Sequence, residues 1–357
     1  MTKLGFYSGS FNPFTRGHMQ VIAQAMQKLD KIVIGIGVNP DKKEHTPNNT
    51  GIMDSINDLC VSIKHYNLIG EKVSPEQIAL AKRYEKDKTI IKVINYTDTT
   101  VDAAYNMECQ YLVRGERANG SDNLYEKNLD IMNGLLSETR NYDLKSIIIP
   151  TEVEYSHFSS SNARGLAQLG EFESLKTICY PSVVEQMAKK YISEKGLPTM
   201  PSAGYHNNTH VACMLNWITA SGGQDILKRL EFAAAVHDAG PISVVVEQYP
   251  DIANLILATD HTNECDRKCN WNADANIFHD ADLAILFSKH YGWYAYQVWN
   301  EYKDKYSDKE FSIGRTQVLK KLLGVQYKTD YFKRFQQNMI KNINWEIAYW
   351  NNSLHTK

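Results

Sequence analysis

The chain has 357 residues, 43% of them hydrophobic, and a formal charge of −2. That length exceeds one hydrophobic core of ordinary size and suits two domains. The near-zero charge argues against a general nucleic-acid-binding surface. Six cysteines, at 60, 109, 179, 213, 265 and 269, form no paired framework, and Cys265 and Cys269 lack the second pair a zinc site needs. The start MTKLGFYSG has neither the apolar stretch nor the cleavage site of a signal peptide. Nothing later reaches the length of a membrane span. A soluble cytoplasmic enzyme with small-molecule partners, and with neither nucleic acid nor membrane, is expected.

Leu4 to Tyr7 is a short apolar run that breaks into Ser8-Gly9-Ser10. Apolar residues at 21, 22, 25, 26 and 29 then have helical spacing. Lys31 to Val38 reads as a buried parallel strand, ended by Asn39-Pro40. Further strands are expected at Ile90 to Ile94, Tyr111 to Val113 and Ser146 to Ile149, with helices over 122–138 and 160–169. The alternation predicts an open α/β sheet of about five parallel strands, Rossmann-like in type.

Sites in such sheets lie beyond the carboxyl ends of the strands, where Gly9, Gly17 and His18 collect. The glycines let a phosphate approach the backbone, and the helix starting near Gly17 offers free amides to an anion. His18 at that start is able to donate to a phosphoryl oxygen as charge develops. On local chemistry alone, a helix-capping role explains it equally well.

The segment GSFNPFTRGH, residues 9–18, resembles the first signature of the cytidylyltransferase-like nucleotidyltransferases, whose Thr/His-x-Gly-His tetrad is here Thr15-Arg16-Gly17-His18. Within that group the chain resembles the phosphopantetheine adenylyltransferase family. Asn39-Pro40-Asp41-Lys42 resembles its Asn-Pro-x-Lys strand end. Arg114-Gly115-Glu116-Arg117, followed by Asp122, Tyr125, Glu126 and Asn133, resembles its Arg-Gly-x-Arg segment, and Phe158-Ser159-Ser160-Ser161 with Arg164 its late serine motif.

The resemblance implies that Gly9, Ser10, Thr15, His18, Arg117, Glu126 and Ser159, Ser160 and Ser161 hold ATP. Ser10, Lys42 and Arg114 would receive the phosphate of the acceptor, and His18, Lys42 and Arg117 would act in catalysis. It further implies Mg²⁺ accompanying ATP, in-line attack of the acceptor phosphate on the α-phosphorus, and a homo-oligomer. The acceptor it implies is 4′-phosphopantetheine, giving dephospho-coenzyme A. Two departures keep nicotinamide mononucleotide or another nucleotide open as the acceptor. One is an enlarged polar insertion over about residues 44–88. The other is Asp98-Thr99-Thr100, where the family has a small apolar turn.

Glu194 to Pro201 reads as a linker, which sets domains at 1–195 and 196–357. From 207 onwards the spacing is helical, and an all-α domain is expected. Histidines beside aspartates gather there: His206, His210, His237-Asp238, Asp260-His261, and His279-Asp280 with Asp282. Imidazoles with carboxylates suit a divalent transition metal, or Mg²⁺ where carboxylates and water dominate. Ordinary buried hydrogen bonding is the rival explanation.

The order His210, His237-Asp238, distant aspartate resembles the HD phosphohydrolase superfamily, and more narrowly its small predicted metal-dependent hydrolases. Residues 205–210, 233–238 and 280–283 carry the match, with Phe311, Gly314-Arg315, Leu319 and Tyr327-Lys328-Thr329 downstream. It implies His210, His237, Asp238 and Asp280 as metal ligands. His206 and His261 are left to outer contacts, phosphate or another ion, and Asp282 competes with Asp280 for the last ligand position. A non-catalytic nucleotide-binding regulatory module is the alternative for this half. The aromatic set Trp293, Tyr294, Tyr296 and Trp299 is expected to be packing.

Overall fold

The computed structural model describes residues 2–38, 49–116, 122–201, 204–222, 227–261 and 269–353. The chain divides into two compact units. The first comprises Met1–Lys64, Lys72–Leu166 and Leu175–Val183, and the second His65–Glu71, Ala167–Ser174 and Val184–Lys357.

The first unit is built on five parallel strands: β1 (Leu4–Gly9), β2 (Lys31–Gly37), β3 (Ile91–Tyr96), β4 (Tyr111–Glu116) and β5 (Lys145–Pro150), in the order β3-β2-β1-β4-β5. Each expected strand is present. The topology reverses between β1 and β4, which pair through Gly5↔Tyr111, Phe6↔Leu112 and Tyr7↔Val113. A reversal of this kind opens a crevice at the carboxyl ends of the two strands.

Helix α1 (Arg16–Ala25) follows β1 and buries Met19, Val21, Ile22 and Ala25, the face its spacing predicts. Helices α2 (Asn49–Lys64), α3 (Tyr66–Ile69) and α4 (Pro75–Lys86) occupy most of the polar insertion. That stretch is less polar than its composition suggests. Ile52, Ile56 and Leu59 of α2 and Leu80, Ala81 and Tyr84 of α4 join the main core, while Lys82, Glu85 and Lys86 of α4 are exposed. Ser74 starts α4 with a reciprocal cap on Gln77.

Helix α5 (Thr100–Asn106) starts from Thr99, whose side chain caps Asp102 N, so the Asp98-Thr99-Thr100 departure is a helix start. Helix α6 (Asp122–Thr139) precedes β5, and α7 (Ser160–Gln168) follows it.

Helix α8 (Phe172–Ile178) leads to α9 (Pro181–Glu194). The last passage of the chain from the first unit to the second falls at Val183/Val184. Val184, Ala188 and Ile192, spaced by four along α9, are fully buried, and Glu185 binds the start of the next helix. α9 is thus largely part of the second unit's packing.

The described part of the second unit is otherwise helical and holds no strand. Its helices are α10 (Asn208–Ala220), α11 (Leu227–Val236), α12 (Ile242–Gln248), α13 (Ala253–Ala258), α14 (Ala273–Asp282), α15 (Tyr291–Tyr302), α16 (Asp308–Leu322), α17 (Asp330–Lys333) and α18 (Gln336–Ser353). Trp293 and Tyr294 are buried, as a packing role requires. Arg315 and Glu346 form a buried ion pair at 2.8 and 3.0 Å, and Tyr291 Oη and Trp350 Nε1 also donate to Glu346, at 2.5 and 2.9 Å. Every oxygen of that carboxylate is therefore satisfied, the condition for tolerating buried charge. No described helix is long and apolar enough to cross a membrane.

Candidate functional sites

In the first unit, β1 releases the chain at Gly9, and the loop to Thr15 turns through Phe11, at φ +44°, and a cis Asn12–Pro13 bond. Thr15 caps α1: His18 N donates to its Oγ1 at 3.4 Å, and Thr15 N donates back to His18 Nδ1 at 3.0 Å. A ring nitrogen that accepts an N–H carries no proton, so neutral His18 holds its proton on Nε2. Phe11 and Phe14 flank the imidazole at 5.1 and 5.4 Å. The capping role of His18 is thus present, through Nδ1.

The late serine segment is tied to the same loop. Thr15 Oγ1 donates to Phe158 O at 3.1 Å, Ser160 Oγ donates to Pro13 O at 2.9 Å, and Arg164 bonds Asn12 O. Ser159 Oγ accepts from Asn162 N at 3.0 Å, and Ser161 Oγ from Arg164 at 3.2 Å. Gly17 allows this approach, because a Cβ there would lie 2.9 Å from Phe158 O. The N-termini of α1 and α7 are thereby tied to one loop.

Ser10 is exposed at the end of β1, and Arg114 stands near the end of β4, the strand beside it. Gly115 sits under α1, where a Cβ would meet Val21 Cγ2 at 2.8 Å. Lys42 and Arg117 lie outside the described residues, as does the side chain of Glu126, whose backbone is in α6. Arg16, inside the tetrad, was given no role from sequence. Its Nε donates to Cys179 O at 3.3 Å and its guanidinium covers Tyr180 at 4.3 Å. Nearby, Asp58 accepts from Ser182 N at 2.9 Å, and burial pushes its carboxyl up to about 6 against the opposing pull of that bond and of Arg16.

In the second unit, helix ends converge. His210 lies in the first turn of α10 and His237-Asp238 directly follow α11, while Asp282 ends α14. His210 Nε2 and His237 Nε2 face each other at 3.3 Å. Asp238 Oδ2 is 2.9 Å from His237 Nε2 and 3.5 Å from His210 Nε2. Asp282 Oδ1 is 3.1 Å from His210 Nε2 and 3.4 Å from His237 Nε2. Ligand atoms of His210, His237 and Asp238 all lie within 4.8 Å of one another.

Asp280, expected as the last ligand, is not in this group. Its carboxylate is fully buried, accepts from Lys328 N and from Thr329 N and Oγ1 at 2.7–3.0 Å, and faces His279 Nδ1 at 3.0 Å. Those bonds hold the Tyr327-Lys328-Thr329 segment. Asp282 takes the place by the histidines, and its Oδ2 pairs with His261 Nε2 at 2.9 Å. His261 therefore contacts the cluster through Asp282. His206 stands apart, paired with Glu301 at 3.3 Å, which raises its pKa. Cys265 lies outside the described residues; Cys269 is a buried thiol.

The electrostatics fit a cation. Burial opposes charge on His237, yet the Asp238 and Asp282 carboxylates outweigh it and hold the ring well above its ordinary pKa. Burial likewise opposes ionisation of Asp282, but bonds from His210, His237 and His261 hold it well below the usual carboxylate range. His237 Nδ1 donates to Ala234 O at 2.9 Å, so its neutral ring presents a lone pair at Nε2. Two imidazoles and two carboxylates around one point make a donor set suited to a divalent first-row ion. The start of α10 is braced by Glu185, which accepts from Asn208 N and Nδ2 and from Thr209 N and Oγ1 at 2.6–3.1 Å. Sequence reasoning passed over Glu185 because it precedes the motif by twenty residues.

Residues 6–166 match the cytidylyltransferase-like family model. The phosphopantetheine adenylyltransferase of Clostridium tetani is 30% identical over 187 residues, 52% of this chain and 96% of that protein. Its Streptococcus pneumoniae counterpart is 28% identical over 193 residues, 54% of this chain and 97% of that protein. The Porphyromonas gingivalis one is 30% identical over 167 residues, 47% and 88% of the two chains. A solved structure of Thermotoga maritima TmcAL bound with alpha-thio ATP aligns over 98% of this chain and 93% of that one, at 12% identity and a TM-score of 0.28, a score that establishes no shared fold.

Proposed function

We propose, since this chain belongs through its first half to the phosphopantetheine adenylyltransferase family, that its nucleotidyltransferase unit moves an adenylyl group from ATP to 4′-phosphopantetheine. An acceptor phosphate oxygen attacks the α-phosphorus in line, the bond to the β-phosphate bridging oxygen breaks, and pyrophosphate leaves while dephospho-coenzyme A forms. His18 Nε2–H donates to the phosphoryl oxygen as charge builds. Thr15, Arg117, Glu126 and Ser159 to Ser161 hold ATP, and Ser10, Lys42 and Arg114 the acceptor phosphate. Mg²⁺, if bound with ATP, would supply charge neutralisation on the phosphates.

The observation that carries this reading is the Thr15 N–H on His18 Nδ1, which leaves the proton on the other nitrogen. The test is pyrophosphate release with ATP and Mg²⁺ across acceptors including 4′-phosphopantetheine and nicotinamide mononucleotide. Release that needs 4′-phosphopantetheine, and drops about 10²–10³-fold in His18→Ala, is expected. Release with nicotinamide mononucleotide alone would replace the acceptor, and none with any acceptor would overturn the activity.

For the second unit we propose an HD-type metal-dependent phosphohydrolase, carried by the convergence of His210, His237, Asp238 and Asp282. A divalent ion held there would polarise a phosphoryl oxygen and lower the pKa of a bound water. Phosphate release from nucleotide and phosphomonoester panels with Mn²⁺, Mg²⁺ or Zn²⁺, abolished in Asp238→Asn, is expected. Ion binding without turnover on any substrate would replace it with a nucleotide-sensing module.

A further inference from the structure

His210 and His237 have different outer partners, and the difference follows from where each sits on its helix. His237 follows the last turn of α11, where main-chain carbonyls are unsatisfied, and its Nδ1–H takes one, Ala234 O. His210 is in the first turn of α10, where the free main-chain groups are N–H donors. No local carbonyl is on offer to take a proton from its Nδ1. Left so, the ring would keep its proton on Nε2, beside the Asp282 carboxylate at 3.1 Å, and a protonated nitrogen cannot ligate a metal.

The group that does meet His210 Nδ1 is the hydroxyl of Tyr205, at 2.6 Å. Resting on the metal-site reading above, we infer that Tyr205 is the positioning residue of that site: its hydroxyl oxygen takes the Nδ1–H of His210 and so aims the Nε2 lone pair at the point faced by His237, Asp238 and Asp282. A phenol serves because its oxygen accepts as well as donates. Outer partners of this kind fix both tautomer and ring orientation of a ligating histidine.

The phenol is held on its far side by packing independent of any ion. Its ring meets Tyr294 edge to face at 4.5 Å and lies 4.7 Å from the His210 ring. Tyr294 lies beneath the Arg315 guanidinium at 5.2 Å, and Arg315 is locked by Glu346. The Gly314-Arg315 match in the sequence thereby gains a use: it backs the residue that backs the ligand.

The test is Zn²⁺ titration of the full chain, freed of metal with a chelator, against a competing chromophoric chelator. Tyr205→Phe keeps the ring and removes only the hydroxyl. The expected result is an affinity about ten- to a hundredfold weaker than wild type, in a metal-free protein that still folds and loses only the stability of one buried hydrogen bond. Equal affinities overturn the positioning role while leaving the metal site intact. Absence of Zn²⁺ binding by folded wild type, or full binding by His237→Ala, overturns the metal-site reading itself. Should Tyr205→Phe fail to fold, the Zn²⁺-loaded wild type decides by NMR. A slowly exchanging Nδ1–H on His210 supports the role, and a freely exchanging one overturns it.

Discussion

Asp282 Oδ1 lies 3.1 Å from His210 Nε2, whereas Asp280, two residues earlier on the same helix, spends its carboxylate on the main chain of Lys328 and Thr329. The two aspartates therefore have separable jobs. Asp282→Asn should weaken divalent-ion binding by at least tenfold, since one neutral amide replaces an ionised ligand, and should lower metal-free stability as well, since the bonds from His210, His237 and His261 weaken. Zn²⁺ titration with parallel thermal unfolding checks both halves of that statement.

Asp280→Asn should act on stability far more than on ion binding. A fully buried acceptor of three main-chain and hydroxyl donors would be replaced by a group with half its acceptor capacity. The expected loss is roughly 3 kcal/mol of folding stability, read by denaturant unfolding, with ion affinity changed less than in Asp282→Asn.

Gly17→Ala tests the link between the signature loop and the serine segment. The added Cβ would lie 2.9 Å from Phe158 O, a main-chain atom that moves only with its segment. Separating the two loops should lower kcat/KM for ATP by about tenfold or more, chiefly through KM. An unchanged KM in the pyrophosphate-release assay would show that the two loops do not share ATP.

Asp58 supplies a pH signature. Burial raises its carboxyl to about 6, above its unfolded value near 4. A carboxyl raised in the folded state contributes stability that is present below about pH 4 and lost as pH rises through about 6. Asp58→Asn keeps an acceptor for Ser182 N and removes the ionisation. The variant should therefore gain on wild type by on the order of 2 kcal/mol between about pH 4 and pH 7, a figure reduced because the residue is only half-buried. Unfolding curves at the two pH values measure the gain, and parallel behaviour of the two proteins would contradict it.

Glu185→Gln should loosen the start of α10. The charge opposes the helix's positive end, and its two oxygens accept four donors. A cost of about 1–2 kcal/mol is expected, together with weaker Zn²⁺ binding through the displaced His210.

The strands of the first unit were legible because continuous apolar runs such as Lys31 to Gly37 admit few readings other than a buried parallel strand. The loop carrying Thr15, Gly17 and His18 was legible because its chemistry is local: cap, glycine and imidazole lie within four residues. The polar insertion was less so, since counting Asn, Lys and Glu conceals that Ile52, Ile56 and Leu59 share one helical face. The Gly17 requirement was visible as a glycine but not as a reason, because Phe158 lies 141 residues away in the chain.

By itself, then, the sequence determined the two kinds of chemistry, phosphate-binding helix starts and a histidine–aspartate cluster, because residue type and short spacing specify donors and acceptors. Tertiary structure alone decided which members meet. Residues two apart on a helix point about 200° from each other, so only one of Asp280 and Asp282 can face the histidines. Apolar neighbours on both sides, Phe278 and Ala281 among them, bury both faces of α14 and leave no amphipathic signal to choose between them. The packing of Lys328 and Thr329 against one face made that choice, and the outer partners of His18, His210 and His237 then set which nitrogen of each ring does the chemistry.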